Sequence, residues 1–358
     1  MEEVRSVPKE YRDLRRVFSE EEANKLPPLQ QRLAKYSMDN EQVKHWENHS
    51  TVEDFLLLGY HEYPVLLFVA FLATYLAILL GNGLIVAVTT LDPALHTPMY
   101  FFLRNLSGLE MCYTSVTLPK MMASLVSRDR SISLPTCATQ MFFMIFLGRT
   151  ECFLLAAMAY DCYLAICLPL RYMTIMSHRV RVVMVVMSFA ISFPVQLLQI
   201  RLIFSLPFCA SKEIDHFFCD IPQVLRLACA DLYANELAVY TENIFFVVVP
   251  FLLIVASYVH IARAILRMPS ATGRKKTFST CSSHLTVVSP FYGSAMLVYL
   301  CPQTSDLVKF SKLLSLLYTI VIPFCNPLIY TLRNREVKVA FGKLLGKKQS
   351  MEMDTGNR

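Results

Sequence analysis

The sequence predicts an all-α membrane protein, a seven-transmembrane helix bundle with its N-terminus outside and its C-terminus cytoplasmic. Three observations carry that expectation. The 358 residues are 54% hydrophobic and 17% charged, with a mean hydropathy of +0.42, whereas a soluble domain carries about 25% charged residues. The apolar residues fall in blocks rather than at amphipathic spacing, each long enough to cross a bilayer. Lys and Arg are distributed unevenly between alternate connections.

The clearest block spans 64–88 and holds no charged side chain. Further blocks span 98–126, 134–167, 182–200, 243–262, 278–300 and 313–332. Each reads as a helix, because a lipid-exposed segment must satisfy its own backbone polar groups, and none shows the alternation of a barrel strand. An odd count puts the termini on opposite faces. One set of connections, from Arg171 to Lys276 and on through Arg333 to Lys348, holds twice the Lys and Arg of the other set, which contains Arg128, Arg130, Arg201, Lys212, Arg226, Lys309 and Lys312. The richer set is expected to be cytoplasmic. A sequon at Asn48 then lies outside, where glycosylation occurs. Residues 1–53 contain no apolar core, so the first span is expected to serve as the insertion signal.

The net charge of +6 sits mostly beside the spans, so it orients the chain and meets lipid headgroups; membrane lipid is an expected partner and nucleic acid is not. No HExxH pair or GxSxG elbow occurs, so no enzyme is expected. No inverted repeat marks a transporter. The eleven cysteines match no zinc spacing, and no metal site is expected. Topology places Cys137, Cys209, Cys219 and Cys229 outside, where they can pair in three ways. The long outer loop at 201–236 reads either as a lid over a ligand cavity or as a structural cap. Asn82, Glu110, Glu151 and Asn326 recur on four spans and are expected to face one polar interior. Pro250, Pro290, Pro323 and Pro327 are expected to interrupt their helices and free backbone carbonyls, which permits kinks.

Several strings carry a family resemblance: Gly81-Asn82, LHTPMY at 95–100, MAYDCYLAIC at 158–167, Ser257-Tyr258, KTFSTCSSHL at 276–285, SPFYGSA at 289–295 and NPLIYTLRN at 326–334. In this order and on these spans, the sequence resembles the odorant receptors, a branch of the rhodopsin-like G-protein-coupled receptors, over about residues 38–348. The resemblance implies a plasma-membrane receptor that binds a small volatile odorant and activates a heterotrimeric stimulatory, olfactory-type G protein to raise cAMP. It implies ligand contacts at Met144, Ile145, Gly148, Arg149, Asn243, Phe246, Tyr292, Met296 and Thr319. It also implies bridges Cys137–Cys219 and Cys209–Cys229, and switch residues Asp161, Cys162, Tyr163, Tyr258 and Tyr330. For Glu110 and Glu151 it implies a bound Na⁺, against the alternative of two protonated carboxyls. The expected organisation is an extra N-terminal extension at 1–37, an extracellular N-terminus at 38–63, the bundle at 64–332, and a cytoplasmic amphipathic helix and tail at 333–358.

The chain departs from the family at three places. Asp161-Cys162-Tyr163 replaces Asp-Arg-Tyr, which removes the cation that would pair with the aspartate, so weaker or altered coupling is expected. Arg149 places a full charge in the third span, where it either pairs with Glu242 or binds the carboxylate of an acidic odorant. Residues 7–28 resemble the linker before the reverse transcriptase of gypsy-type retroelements, and Met38 is the expected natural start.

Overall fold

The structure is a computed structural model; it describes residues 54–59, 63–127, 130–208, 212–300, 305–333, 337 and 339–342, without the side chains of 276, 279, 280, 305–309, 311 and 330–333. Asn48, Cys209, the Tyr330 side chain, the 1–37 extension and most of the C-terminal tail lie outside the described residues.

Strand β1 (Asp54–Leu57) leads into α1 (Pro64–Leu91) and α2 (Pro98–Val126). Strand β2 (Ser131–Ser133) precedes α3 (Leu134–Cys167), the short α4 (Tyr172–Ile175) and α5 (His178–Phe204). Strand β3 (Glu213–Ile214), the short α6 (Ile221–Leu225), α7 (Tyr233–Arg267), α8 (Ala271–Tyr299) and α9 (305–333) complete the chain. Prolines open α1 and α2, where a preset φ helps and the missing N–H is not needed. Ser133 caps α3 by accepting the Thr136 N–H at 3.4 Å, and Ser270 caps α8 by accepting that of Gly273 at 3.3 Å.

Among the described residues, α1, α3, α5, α7 and the 312–329 portion of α9 are long and apolar enough to cross a membrane. The blocks at 98–126 and 278–300 also form helices, but α2 carries Arg104, Glu110 and Lys120, and α8 opens on Arg274-Lys275-Lys276. Helix α7 starts ten residues before the expected block because Tyr233–Asn243 continues it for about three more polar turns beyond the apolar run.

Helices α8 and α9 run through Pro290 and Pro327 without a break. At Pro250 and Pro323 the helix widens instead: π-type turns at Ile244–Val248 and Leu317–Val321 end just before each proline. A widened turn removes the clash between the ring and the carbonyl four residues back while keeping the helix continuous.

Helix α3 is the centre of the bundle. Its most apolar stretch is 61% buried, whereas that of α1 is 6% buried and presents Val65, Leu66, Val69 and Leu80 outward. A helix apolar on every side with one exposed face fits a lipid boundary. Around α3 the core joins Met144, Leu147, Leu154 and Leu155 to Phe102 and Leu109 of α2, Ile254 of α7, Tyr292 of α8 and Tyr318 of α9.

A second core lies at the end of the bundle where α1 begins. There β1 pairs antiparallel with β2 (Phe55 opposite Ile132) and parallel with β3 (Leu57 opposite Ile214), in the order β2-β1-β3. Alternation along β1 turns Phe55 and Leu57 inward against Met141, Ile203, Ile221 and Val224. Three separate connections are thereby tied into one cap.

Candidate functional site

The cap is anchored to α3 by the bonded sulfurs of Cys137 and Cys219, whose Cα atoms are 5.5 Å apart. Gln140, one turn below on α3, accepts the Cys219 N–H at 3.1 Å and donates to the Val116 carbonyl of α2 at 3.3 Å. Asp220 accepts the Ile221 N–H at 2.9 Å and the Tyr299 hydroxyl of α8 at 3.0 Å; Tyr299 in turn meets the Tyr318 hydroxyl of α9 at 3.5 Å. Lys312 of α9 pairs with Asp215. Burial pushes the Asp220 carboxyl up to about 6, against the opposing bonds from Tyr299 and the Ile221 N–H. Burial also takes His216 down to about 4, while its ring packs edge-on to Phe218 at 4.5 Å. Cys229 is disulfide-bonded, and Phe208 and Ala228, the neighbours of Cys209 and Cys229, form a β-bridge.

Beneath the cap, Arg149 is 5% exposed. Its Nη2 donates to Glu242 Oε2 of α7 at 2.5 Å and to Gln199 Oε1 of α5 at 2.9 Å, and its guanidinium lies 4.6 Å from the Phe246 ring centroid. The structure therefore places Arg149 in an ion pair, the first of the two expectations for it. Of the other expected ligand contacts, Met144, Asn243, Phe246, Tyr292 and Thr319 are buried, while Ile145 and Met296 are partly buried against the cores. Gly148 lies beside α2, where a Cβ would meet Tyr113 at 4.0 Å. The Tyr292 hydroxyl donates to the Cys152 carbonyl at 2.8 Å, pinning α8 to α3. A cleft of about 470 Å³ between α3, α5 and α7 is lined by Phe153, Ala157, Tyr163, Met187, Leu253 and His260, none of them among the expected ligand contacts.

Deeper in the bundle the four polar residues do converge. Asn326 donates to Glu110, and Glu110 lies within electrostatic reach of Glu151. Asn82 donates to the Ile78 carbonyl at 3.2 Å and to the Pro323 carbonyl at 3.3 Å. Glu110 Oε2, Glu151 Oε1, Asn82 Oδ1 and Asn326 Oδ1 are buried without a hydrogen bond. Oxygen acceptors without donors suit a hard cation or added protons. Among the described residues no three His, Cys, Asp or Glu side chains group as a metal site.

At the far end of α3, Asp161 accepts the Tyr172 hydroxyl of α4 at 2.9 Å, a partner that the sequence reading missed. Cys162 is buried with Ile261 of α7 and Cys281 of α8. Tyr163 stacks near Tyr160 and His260, and the Tyr258 hydroxyl meets His284 Nδ1 at 2.8 Å. Gln196 and Gln199 were also missed as site residues. Their i, i+3 spacing within an otherwise apolar span was the available signal, since uncharged amides in a span also seek an interior partner.

The olfactory receptor family model matches residues 71–348. Human olfactory receptor 10A7 is 50% identical over 86% of this chain and 98% of its own length. Human olfactory receptor 10AG1 is 49% identical over 82% of the chain and 99% of its own, and human olfactory receptor 10A2 is 52% identical over 80% and 94%. A match of this extent, on a helical bundle with several membrane-crossing helices, shows that the chain belongs to the olfactory receptor family of multi-pass, G-protein-coupled membrane proteins.

Proposed function

We propose that the protein is a plasma-membrane odorant receptor whose seven long helices all cross the bilayer, with the cap outside and the C-terminus in the cytosol. It binds a small volatile ligand among α3, α7, α8 and α9 and activates a stimulatory, olfactory-type G protein to raise cAMP. The observation that carries this reading is the cap. It is bonded to α3 through Cys137 and Cys219 and to α8 through Asp220 and Tyr299, directly above the buried residues Arg149, Phe246 and Tyr292. Such a closed, largely apolar interior with few polar groups suits a small hydrophobic ligand. An agonist that binds one packing of the bundle better than another shifts the population by that difference in affinity. The Asp161–Tyr172 bond and the contact of Cys162 with α7 and α8 lie where such a repacking would be read by the G protein. Cys209 pairs with Cys229 in this reading, and Asn48 carries the outer glycan.

The oxygen cluster of Glu110, Glu151, Asn82 and Asn326 supports a Na⁺ site that favours the inactive packing. The test is ligand-dependent cAMP in cells carrying the olfactory G protein, with surface level measured. A response abolished by removing that G protein, and made more potent when sodium is replaced by a large organic cation, is the expected result. A ligand-dependent current that survives the removal would identify a channel instead. In the same cells Cys162→Arg gives a larger maximal cAMP response at matched surface level, because it restores a cation beside Asp161. Equal maxima would reject a coupling role for this position.

A further inference from the structure

The ion pair at Arg149 leaves polar atoms over, and those atoms define what the ligand site accepts. Arg149 Nη2 serves both Glu242 and Gln199, but Arg149 Nη1 and Gln199 Nε2 are buried with no partner. Gln196, one turn from Gln199 on the same face of α5 and 0% exposed, has neither its amide nitrogen nor its amide oxygen bonded. Three side chains, all more than nine-tenths buried, therefore present unused N–H donors within one region between α3, α5 and α7. Leaving so many donors unsatisfied is costly, so a group that accepts hydrogen bonds belongs there. The region lies about 18 Å of helix below Cys137, beneath the cap.

The charge of that group is fixed by Glu242. Its carboxylate already neutralises the guanidinium, and Phe246 covers the guanidinium with its ring. A second carboxylate would enter a low-dielectric interior beside Glu242, whose pairing with Arg149 already uses that cation. An uncharged oxygen loses little on entry and gains the N–H groups of Arg149, Gln199 and Gln196. We propose that these three residues form the polar end of the ligand site and select uncharged, oxygen-bearing odorants such as aldehydes, ketones and alcohols, while Glu242 excludes carboxylic acids. The inference rests on the receptor reading above, extends that site from α3 and α7 toward α5, and names its ligand class.

The experiment compares a linear aldehyde, alcohol, carboxylic acid and alkene of equal chain length. Two readouts are used on the full chain: cAMP in cells, and the thermal shift of the purified receptor in lipid nanodiscs, which reports binding without a G protein. In the unaltered receptor the aldehyde and alcohol act at concentrations about tenfold or more below the acid. Glu242→Gln frees the guanidinium, and the preference inverts toward the acid by about tenfold or more. Gln199→Leu, which leaves the ion pair intact, weakens the aldehyde and alcohol about tenfold and leaves the alkene unchanged. An unaltered receptor that prefers the acid, an acid-to-aldehyde ratio untouched by Glu242→Gln at equal surface level, or equal losses for all four probes in Gln199→Leu would each overturn the proposal. If the nanodisc shifts follow the expected pattern and cAMP does not, the signalling reading fails and the ligand class stands. If no probe moves either readout, both fail.

Discussion

At the scale of single residues, burial decides what each charge can do. Arg149 keeps its charge inside an apolar bundle because Glu242, Gln199 and the Phe246 ring replace the water it has lost. In the cap, burial outweighs what the neighbours of Asp220 and His216 supply, and their protonation is displaced in opposite directions. Asp220 rises from 3.8 to about 6, so the folded chain keeps a proton that the unfolded chain releases. Its contribution to stability is complete below 3.8 and is lost as pH rises through about 6. His216 falls from 6.5 to about 4, beside Lys312 and Asp215, so its contribution is complete above 6.5 and is lost as pH falls through about 4. Each shift is worth on the order of 3 kcal/mol, and the two cancel over most of the interval between. The joint contribution of this pair to thermal unfolding of the purified receptor is therefore expected to change little between pH 6 and 4, so that single variants expose each half. Asp220→Asn uncovers a loss of stability in acid, and His216→Phe uncovers a gain. Parallel profiles for all three proteins would refute the opposed pair.

At the scale of elements, the contact between α1 and α9 explains two of the motifs. Pro327 has no N–H, so the carbonyl four residues earlier, that of Pro323, is left without its helical donor. Asn82 of α1 supplies the replacement at 3.3 Å. The neighbouring Gly81 lets the helices approach closely enough, since a Cβ there would lie 2.9 Å from Pro327 Cβ. Gly81-Asn82 on one helix is thus the complement of Asn326-Pro327 on another. Asn82→Ala is expected to lower stability by about 1–3 kcal/mol, the cost of an unsatisfied buried acceptor. The melting temperature of the purified receptor reads the loss, and an unchanged value would show that the Pro323 carbonyl finds another donor. Pro250 and Pro323 are accommodated differently, by the widened turns before them.

At the scale of the whole molecule, the cap unites segments that are distant in sequence. Strand β1, the α2–α3 connection and the loop after α5 share one small sheet and one apolar core, closed by a disulfide with a sequence separation of 82 residues. Closing a loop of that length stabilises by about 4 kcal/mol in the chain-entropy account. The Cys137→Ser, Cys219→Ser double variant is expected to lose most of its thermal stability and surface expression. Deleting only the residues before Asp54 is expected to preserve both, because β1 and its partners remain. A double variant with full stability would mean that the sheet and the Asp220–Tyr299 bond suffice to hold the cap.

The sequence alone determined the membrane class, the order of the helical blocks and the family, because long apolar blocks and short motifs are local properties of the chain. The 98–126 and 134–167 blocks coincide with α2 and α3 residue for residue. The convergence of Asn82, Glu110, Glu151 and Asn326 was also legible, since polar groups in a span have only the interior to face. Only the tertiary structure decided the partners. It brought Glu242 to Arg149, Tyr172 to Asp161 and Tyr299 to Asp220, set Gly148 beside Tyr113 of α2, and drew β1 into the cap. The physical reason is that hydropathy and helical period fix where a segment lies and which residues share a face. The neighbour of a buried polar atom depends on how helices far apart in sequence rotate and approach, and no local pattern records that.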